Sequence, residues 1–478
     1  MQSPTVPERF RPLVEATAEL AERFARAGHR LYLVGGSVRD AFVERPPAGE
    51  AGTRDGDLDL TTDARPTAIE AIVGGWADAV WTQGKRFGTI GCRAGGRIYE
   101  ITTHRAEAYQ PDSRKPEVTF GDDVETDLSR RDFTVNAMAL ELPSLVLVDP
   151  FHGIADLAAR RLRTPLDPDA SFADDPLRML RAARFAAAYG LSPDPALVEA
   201  VRAGHHRMAI VSAERIRGEL DKLMVLPVPS GALWFVVDTG LADELLPELP
   251  ALRLEQDPVH RHKDVLAHTL AVVDKTSAGK DRPDRLLRLA ALFHDVGKPK
   301  TRKFEDGGVT FHNHDLVGSR MTRRRMEALR YPREEIDVVA RLVELHLRFH
   351  TYALGWTDKA VRRYVRDAGP LLEQLNELTR SDCTTRNAAK AAALGRRMDQ
   401  LEERITALRA QEELDAIRPD LNGTQVMTRL GLAPGRDVGD ALRFLLELRL
   451  DEGPLGEEEA GRRLDAWWEG LGRREPRR

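Results

Sequence analysis

An apolar strand that runs into two glycines, followed by an acidic pair, is the feature that most constrains this chain. The stretch "LVGGSVRDAF" (33–42) precedes "DGDLDL" (55–60), in which Asp57 and Asp59 lie two residues apart. Side chains at positions i and i+2 of a strand point to the same face of a sheet. We therefore predict that these two carboxylates lie side by side on the strand after the glycine turn.

Neighbouring carboxylates predict a bound cation. Each raises the cost of ionising the other, and a divalent ion removes that cost. Mg²⁺ is a hard cation that prefers oxygen ligands. Glu100, in "IYEITT", is a candidate third carboxylate on a neighbouring strand. Mg²⁺ held by Asp57 and Asp59 would activate a hydroxyl group and neutralise charge on an α-phosphate, which is the chemistry of nucleotidyl transfer.

The glycine turn predicts where a triphosphate binds. Gly35 and Gly36 have no side chains, so backbone N–H groups of the turn can approach an anion closely. The N-terminus of the helix that follows also favours anions, and Ser37 is its predicted N-cap. Arg39 on this helix is predicted to bind a phosphate in a bidentate manner.

A second charged set lies in "DDPLRMLRAARF" (174–185). Asp175, Arg178, Arg181 and Arg184 are spaced three apart, which predicts one face of a helix. Three arginines in a row repel unless an anion such as a triphosphate lies over them. An Asp/Arg pair can also accept from an exocyclic amine and donate to the ring acceptor beside it, which admits cytosine and adenine and rejects guanine and uracil. The segment therefore predicts a protein template for C and A.

Three further motifs accompany these two sites: "RRDFTVNAMA" (130–139), "DPFHGIADL" (149–157) and "SAERIRGEL" (212–220). Together and in this order, the motifs resemble those of the bacterial class II tRNA nucleotidyltransferases, the CCA-adding enzymes of the polymerase β superfamily. The resemblance implies Mg²⁺-dependent transfer of CMP and AMP, from CTP and ATP, to the 3′ end of tRNA.

The resemblance also implies roles for individual residues. Asp175 and Arg178 would read the base, whereas Arg181 and Arg184 would hold the nucleotide. Three consecutive residues would lie against the nucleotide as well: Arg130, Arg131 and Asp132.

A histidine-rich block follows, and it holds most of the chain's 13 histidines. The "HD" dipeptide at 294–295, an upstream histidine and a distal aspartate resemble the HD phosphohydrolase superfamily. Imidazoles and carboxylates gathered from several helices suit a divalent transition metal, and two more histidines are candidates for a second ion. The candidate ligands are His268, His294, Asp295, His314, His346 and Asp382.

Length and charge set the remaining limits. With 478 residues the chain is too long to fold around a single hydrophobic core, so we expect several domains. A net charge of −5 gives no global basic field, so tRNA must meet local basic patches such as "RMTRRR" (320–325) and "GRREPRR" (472–478). Two distant cysteines fit a reducing compartment, and no apolar run is long enough to span a membrane. We expect a cytoplasmic protein with no membrane partner.

The predicted fold class is α+β, with a small mixed β-sheet head followed by a mostly α-helical neck, an HD domain and a tail. The predicted boundaries are 1–27 for an N-terminal helix, 28–150 for the nucleotidyltransferase head, 151–255 for the neck, 256–385 for the HD domain and 386–478 for a helical tRNA-binding tail.

Local patterns add three predictions. Residues 88–105 are predicted to form a hairpin with "AGG" at its turn, 106–125 a mobile loop, and 174–190 a helix that ends at Gly190.

Other functions remain open at this point. A poly(A) polymerase shares the head and neck motifs, and "GKRF" (84–87) resembles that group. An enzyme that adds only CC or only A fits the same residues. A protein of another class would use the HD domain as its main, phosphohydrolase centre and the head as a binding module. The sequence leaves the oligomeric state and the HD metal open.

Overall fold

The computed structural model describes residues 8–43, 57–108, 117–254, 264–280, 282–305, 308–351, 356–384, 388–412 and 417–471. The predicted basic run 472–478 therefore lies outside the described residues. Two compact units make up the chain. The first comprises Met1–Arg253, Ala278–Arg285 and Ala328–Tyr331, and the second comprises Leu254–Ser277, Leu286–Glu327 and Pro332–Arg478.

The strands, in chain order, are β1 (Leu31–Val34), β2 (Leu58–Thr62), β3 (Ala79–Trp81), β4 (Thr89–Ala94), β5 (Arg97–Thr103), β6 (Arg105–Ala108), β7 (Glu117–Phe120), β8 (Ala139–Leu142), β9 (Leu147–Val148), β10 (Arg161–Leu162), β11 (Ser192–Pro193), β12 (Lys303–Glu305) and β13 (Gly308–Thr310). Seven of them form one sheet in the order β3-β4-β5-β2-β1-β8-β9. The β2–β5 pair is parallel and the other pairs of this sheet are antiparallel, so the sheet is mixed.

The helices of the first unit are α1 (Arg11–Arg26), α2 (Gly36–Ala41), α3 (Pro66–Val73), α4 (Val124–Ser129), α5 (Gly153–Ala158), α6 (Pro168–Asp174), α7 (Leu177–Tyr189), α8 (Pro195–Gly204), α9 (Ala213–Met224), α10 (Ser230–Asp238) and α11 (Leu241–Leu245).

Helices dominate the second unit. They are α12 (Val265–Lys275), α13 (Arg285–Phe293), α14 (Lys298–Thr301), α15 (His314–Ala328), α16 (Arg333–Leu345), α17 (Asp358–Ala368), α18 (Leu372–Asp382), α19 (Ala388–Gln411), α20 (Gly423–Leu430), α21 (Arg436–Glu452) and α22 (Gly456–Gly470). A mixed sheet in the N-terminal part of the chain, followed by mostly helical segments, confirms the predicted α+β fold class. Within the described residues, no helix is long and apolar enough to cross a membrane.

Strand β1 lies inside the sheet and is buried on both faces, which explains its continuous apolar sequence. Leu31 and Leu33 join the larger core, which includes side chains of α1 and α3. Tyr32 and Val34 join a smaller cluster on the other face with Val124 of α4. This burial fixes the strand from which the glycine turn begins.

The glycine turn differs in one detail from its prediction. Helix α2 begins at Gly36, with Gly35 as its N-cap at φ +69°, and Ser37 lies inside the helix. The prediction of Ser37 as N-cap was wrong, because the left-handed backbone at the turn requires glycine one residue before the helix.

The predicted hairpin over 88–105 is confirmed as β4 and β5, joined through Gly95 and Gly96, which both have positive φ. The segment predicted as a mobile loop, 106–125, is ordered at both ends. Strands β6 and β7 pair antiparallel there, and α4 begins at Val124 behind the N-cap Asp123. Residues 109–116 lie outside the described residues.

The helix predicted over 174–190 is shorter than expected. It begins at Leu177 behind Pro176 and ends at Gly190, whose φ of +62° makes it the predicted C-cap. Asp175 is extended and caps the end of α6. The acidic residue and the arginines therefore lie on either side of a helix junction, because proline disfavours helical backbone at the residue before it.

Candidate functional site

The head carboxylates gather on adjacent strands. Asp59 on β2 and Glu100 on β5 are directly opposed in the parallel register, and Asp57 immediately precedes β2. Burial raises the pKa of Asp59, with Asp57 adding to the effect and Arg131 opposing it. Burial also raises the pKa of Glu100, and Asp59 and Asp57 raise it further. The three predicted carboxylates thus form one electrostatic group.

The oxygen atoms of the three head carboxylates do not all lie within 4.8 Å of one another. Among the described residues, the groups of three or more candidate ligands whose donor atoms all lie within 4.8 Å are two histidine-containing sets of the second unit. The head carboxylates do not form a third such group.

Gly35 brings the turn against the acidic strand. A Cβ built on Gly35 would lie 3.0 Å from Nη1 of Arg131 and 3.9 Å from Oδ2 of Asp59. Any side chain here would fill the space between this arginine and this carboxylate, and the positive φ would strain it. The turn at Gly35, the carboxylate of Asp59 and the guanidinium of Arg131 therefore border one small polar space.

The prediction that Arg39 binds phosphate does not match its surroundings. Arg39 is 2% exposed. Its Nε donates to Oδ1 of Asp40 at 2.8 Å and its Nη1 to Oδ1 of Asn136 at 2.6 Å. Its guanidinium also lies 4.2 Å from the ring centroid of Tyr189. These contacts make Arg39 a buried residue that packs α2 against the neck, because the chain itself supplies its acceptors.

The segment 130–132 is held by charge on both sides. Arg130 donates to Oδ1 of the buried Asp127 at 2.7 Å, and Arg131 lies 3.6 Å from Oδ2 of the same residue. Although burial by itself raises the pKa of Asp127, Arg130 and Arg131 outweigh it and lower that pKa. Both arginines stay partly exposed.

Asp132 joins this segment to the neck. Its Oδ2 accepts from Nε and Nη2 of Arg181 at 2.9 Å and 2.6 Å, and its Oδ1 accepts from Nδ2 of Asn136 at 2.9 Å. Burial by itself raises the pKa of Asp132, but Arg181 and the amide lower it overall. The two hydrogen bonds from Arg181 to one carboxylate oxygen set α7 against the head segment that carries Arg131.

Asp175 and Arg178 are both held by neighbours. Oδ2 of Asp175 accepts from Arg215 on α9 at 2.7 Å, and Oδ1 accepts from the backbone N–H of Leu177 at 3.2 Å. Arg178 donates to Oγ of Ser171 at 2.9 Å and to the carbonyl oxygen of Arg130. Helix α9 and the head segment thus orient the two residues that the resemblance assigns to base reading.

The three arginines of α7 do not share one exposed face. Arg184 is 1% exposed and donates to Oε2 of Glu219 at 2.7 Å, while Arg181 donates to Oε1 of the same carboxylate at 3.1 Å. The prediction that an anion must cover these arginines was wrong for Arg184, because Glu219 supplies that charge from within the fold.

The histidine-rich block forms a compact cluster in the second unit. Nε2 of His268 lies 2.9 Å from Oδ1 of Asp382, and Nε2 of His294 lies 3.6 Å from the same atom. The two sets whose donor atoms lie within 4.8 Å of one another are His268, His294 and Asp382, and Asp295, His314 and His346.

Hydrogen bonds orient the imidazole rings of this cluster. Nδ1 of His294, His314 and His346 donates to the carbonyl oxygens of Ala291, Phe311 and Val343, at 2.7, 2.8 and 2.6 Å. A carbonyl accepts only, so each Nδ1 carries the proton and each Nε2 is left as a donor atom for a metal. The predicted ligand residues are therefore brought together with their lone pairs turned inward.

The electrostatics of the cluster also fit a cation. Burial by itself lowers the pKa of His294, but Asp295 and Asp382 raise it to about 10. Burial, His294 and His314 lower the pKa of His346 to about 3. Nε2 of His294 is buried without a hydrogen-bond partner among the described residues. A divalent ion fits this site, because it would replace the proton that Asp295 and Asp382 favour on Nε2 of His294.

Sequence reasoning did not identify the partners of three residues that hold the predicted ones. Arg215 and Glu219 lie one helical turn apart on α9, with charges opposite to those they face on α6 and α7. The i, i+4 spacing of these two charges in "SAERIRGEL" indicates that both lie on one face of a helix, where they could be expected to pair with a neighbouring helix. Thr384, 2.7 Å from Nδ1 of His268, offered no comparable signal.

Three family matches cover this arrangement in chain order. Residues 31–163 match the poly A polymerase head domain, 190–252 the probable RNA and SrmB-binding site of polymerase A, and 265–408 the HD domain. The chain is 33% identical to the A-adding tRNA nucleotidyltransferase of Deinococcus radiodurans over 451 residues, which is 91% of this chain and 95% of that protein. The chain belongs to the tRNA nucleotidyltransferase family.

Two other relatives of this tRNA nucleotidyltransferase are named for different products, CC and CCA. It is 32% identical to the CC-adding tRNA nucleotidyltransferase of Thermus thermophilus, over 91% of this chain and 93% of that protein. It is 37% identical to the CCA-adding enzyme of Lactobacillus helveticus over 220 residues, which is 46% of this chain and 52% of that enzyme.

A solved structure shares the fold. The crystal structure of the Bacillus stearothermophilus CCA-adding enzyme in complex with CTP aligns with a TM-score of 0.68 at 22% identity, over 98% of this chain and 99% of that one.

Proposed function

We propose that this nucleotidyltransferase adds CMP, CMP and AMP in turn to the 3′ end of tRNA, from CTP and ATP, without a nucleic-acid template. The pair of hydrogen bonds from Arg181 to Oδ2 of Asp132 carries the proposal. It joins the segment beside the head carboxylates to the helix that carries the base-reading arginine. The CCA-adding relative supports this product, and the A-adding and CC-adding relatives support the same transfer chemistry.

The head carboxylates fit Mg²⁺ by the chemistry of their donors. Asp57, Asp59 and Glu100 offer hard oxygen atoms, and burial with mutual repulsion raises the pKa of the latter two. Bound Mg²⁺ would activate the primer 3′-hydroxyl and neutralise charge on the α-phosphate. Gly35 keeps the turn open for the triphosphate, and Arg131 beside it donates to phosphate oxygens.

Base selection falls to Asp175 and Arg178. A carboxylate has about four acceptor sites, so Asp175 keeps capacity for an exocyclic amine while it accepts from Arg215 and Leu177. Cytosine and adenine present that amine, whereas uracil and guanine present a carbonyl that a carboxylate repels. The contact of Arg178 with Ser171 fixes the guanidinium that donates to the neighbouring ring acceptor.

The test uses tRNA transcripts that end before CCA, after C and after CC, each with CTP, ATP or both, followed by sequencing of the products. CCA addition extends every transcript to CCA. Extension of the CC-ended transcript alone identifies an A-adding enzyme, and arrest at CC identifies a CC-adding enzyme. Runs of A on unrelated RNA identify a poly(A) polymerase. Nucleotide addition by Asp57→Ala at the wild-type rate would overturn the proposed site.

A second candidate activity, metal-dependent phosphoester hydrolysis, is favoured by the inward-turned histidine nitrogens. We propose that the HD cluster binds divalent transition metal, with one ion on the set that contains Asp382 and a second on the set that contains Asp295. Metal analysis of purified protein should give bound ions in the wild type and fewer in His294→Ala. Ring-opening hydrolysis of a 2′,3′-cyclic nucleotide to the nucleoside monophosphate should disappear in that variant while CCA addition persists. A wild-type protein without bound metal would overturn this assignment.

A further inference from the structure

A short β-hairpin lies between two candidate ligands of the HD cluster. Strand β12 begins eight residues after Asp295, and β13 ends four residues before His314. The two strands pair through Lys303↔Thr310, Phe304↔Val309 and Glu305↔Gly308. Both ends of the hairpin thus lie within eight residues of a candidate ligand along the chain, with α14 between Asp295 and β12.

The hairpin carries an exposed aromatic ring. Phe304 is 71% exposed, the greatest exposed fraction among the large hydrophobic side chains of the described residues. The guanidinium of Arg302 lies 4.8 Å from its ring centroid. Arg302 lies near the ring, and most of the remaining ring surface is exposed to solvent. The ring can therefore stack with a planar group such as an aromatic base.

Positive charge connects this ring to the cluster. The sequence "KPKTRKF" (298–304) contains four basic residues and no acidic residue. At its start, Nζ of Lys298 donates to Oδ2 of Asp295 at 2.7 Å and lies 5.7 Å from the ring centroid of Phe311. The basic run therefore begins at a candidate metal ligand and ends at Phe304.

We propose that this hairpin binds an unpaired nucleotide, with the base stacked on Phe304 and the phosphate along the basic run toward the HD cluster. Base–aromatic stacking contributes affinity without sequence preference, and lysines beside it neutralise phosphate. A nucleotide matches this combination, since a protein partner would need a wider apolar patch than one ring beside exposed Lys303. The inference rests on the proposed HD metal centre only for the destination of the phosphate.

The test observes Phe304 directly in the full-length protein labelled with 4-fluorophenylalanine. Phe304→Leu identifies the ¹⁹F resonance of this residue among the 15 phenylalanines. Adenosine 3′-monophosphate should shift that resonance saturably, whereas ribose 5-phosphate, which has no base, should leave it in place. Lys303→Glu should weaken the nucleotide binding measured there at least several-fold, and the matched surface variant Arg202→Glu should not.

The outcomes separate this proposal from the HD metal centre. A nucleotide-dependent shift that persists in His294→Ala supports the platform even if that variant and the wild type hydrolyse nothing. A Phe304 resonance that millimolar nucleotide does not move, as expected of a surface that serves a protein partner, overturns the platform. An equal shift with ribose 5-phosphate overturns it too, because stacking requires the base.

Discussion

Arg215 donates a hydrogen bond to Oδ2 of Asp175 at 2.7 Å, so a residue of α9 orients the carboxylate assigned to base selection. Arg215 is 45% exposed, and exposed ion pairs contribute only about 0–1 kcal/mol to stability. We therefore expect Arg215→Ala to unfold nearly as the wild type does. Its misincorporation of UMP or GMP should rise several-fold, because Asp175 loses its fixed orientation. Single-nucleotide incorporation on truncated tRNA measures this.

The matched control for that variant is Arg202→Ala, which removes an arginine of the neighbouring helix α8 that pairs with Glu199 on the surface. It should leave base discrimination unchanged. Equal misincorporation by Arg215→Ala and the wild type would contradict a positioning role for Arg215.

Glu219 lies on the same helix as Arg215, α9, but it is buried. It is 5% exposed and accepts from both Arg181 and Arg184, so Glu219→Gln leaves two guanidinium groups without their shared charge. Removing one partner of a buried ion pair costs about 3–5 kcal/mol. Urea unfolding should show a loss of that order, whereas Glu199→Gln, at an exposed pair, should change the free energy of unfolding by less than about 0.5 kcal/mol. Similar losses in the two variants would be evidence against the buried pair.

The same carboxylate predicts an acid limb in the stability profile. Burial by itself raises the pKa of Glu219, but Arg181 and Arg184 lower it below the ordinary value of 4.5. A lowered folded-state pKa gives stability that is present above the unfolded pKa and is lost as pH falls through the folded pKa. Wild-type stability should therefore fall below about pH 4.5, and Glu219→Gln should show a shallower slope there. Parallel slopes in pH-dependent unfolding would contradict this assignment.

The elements that the sequence predicted well are set by local chemistry. Leu31–Val34 is a continuous apolar run, Gly35 requires a left-handed backbone, and Gly95 and Gly96 form the two-residue turn of a hairpin. The side chains that meet in the HD cluster were predictable as candidate ligands, because few other roles suit that combination of imidazoles and carboxylates. The opposition of Asp59 and Glu100 also follows the pattern, although the parallel register of their strands does not.

The misassigned arginines depend on distant partners. From the sequence, Arg39 and Arg184 were predicted to bind nucleotide. Their acceptors inside the fold are distant in sequence: Asn136 is 97 residues from Arg39, and Glu219 is 35 residues from Arg184. Arg39 is buried where Tyr189 of the neck packs against α2, and Arg184 is buried where α9 packs against α7, and no local period encodes either contact. The break at Pro176 was readable, because proline restricts the residue before it.

Arg39→Met separates packing from phosphate binding. In the structure Arg39 pairs with Asp40, and both side chains are 2% exposed, so the substitution leaves a buried carboxylate without its partner. We expect a loss of a few kcal/mol in the free energy of unfolding, with little change in the KM for CTP of the protein that remains folded. A large rise in KM with unchanged stability would restore the phosphate-binding role that the sequence suggested.

Asp59→Asn tests the head site with a readout besides activity. Burial raises the pKa of Asp59, so a neutral side chain of the same shape should raise the Tm of metal-free protein by a few degrees. Added Mg²⁺ should raise the Tm of the wild type and have less effect on the variant, while nucleotide addition falls at least about a thousandfold. Asp63→Asn is the matched control, since Arg30 and His29 lower the pKa of Asp63 against its burial and make its charged form the stable one. That variant should lose Tm and keep its response to Mg²⁺. If Asp59→Asn also lost Tm without metal, the buried carboxylate would be held by the fold rather than kept for a cation.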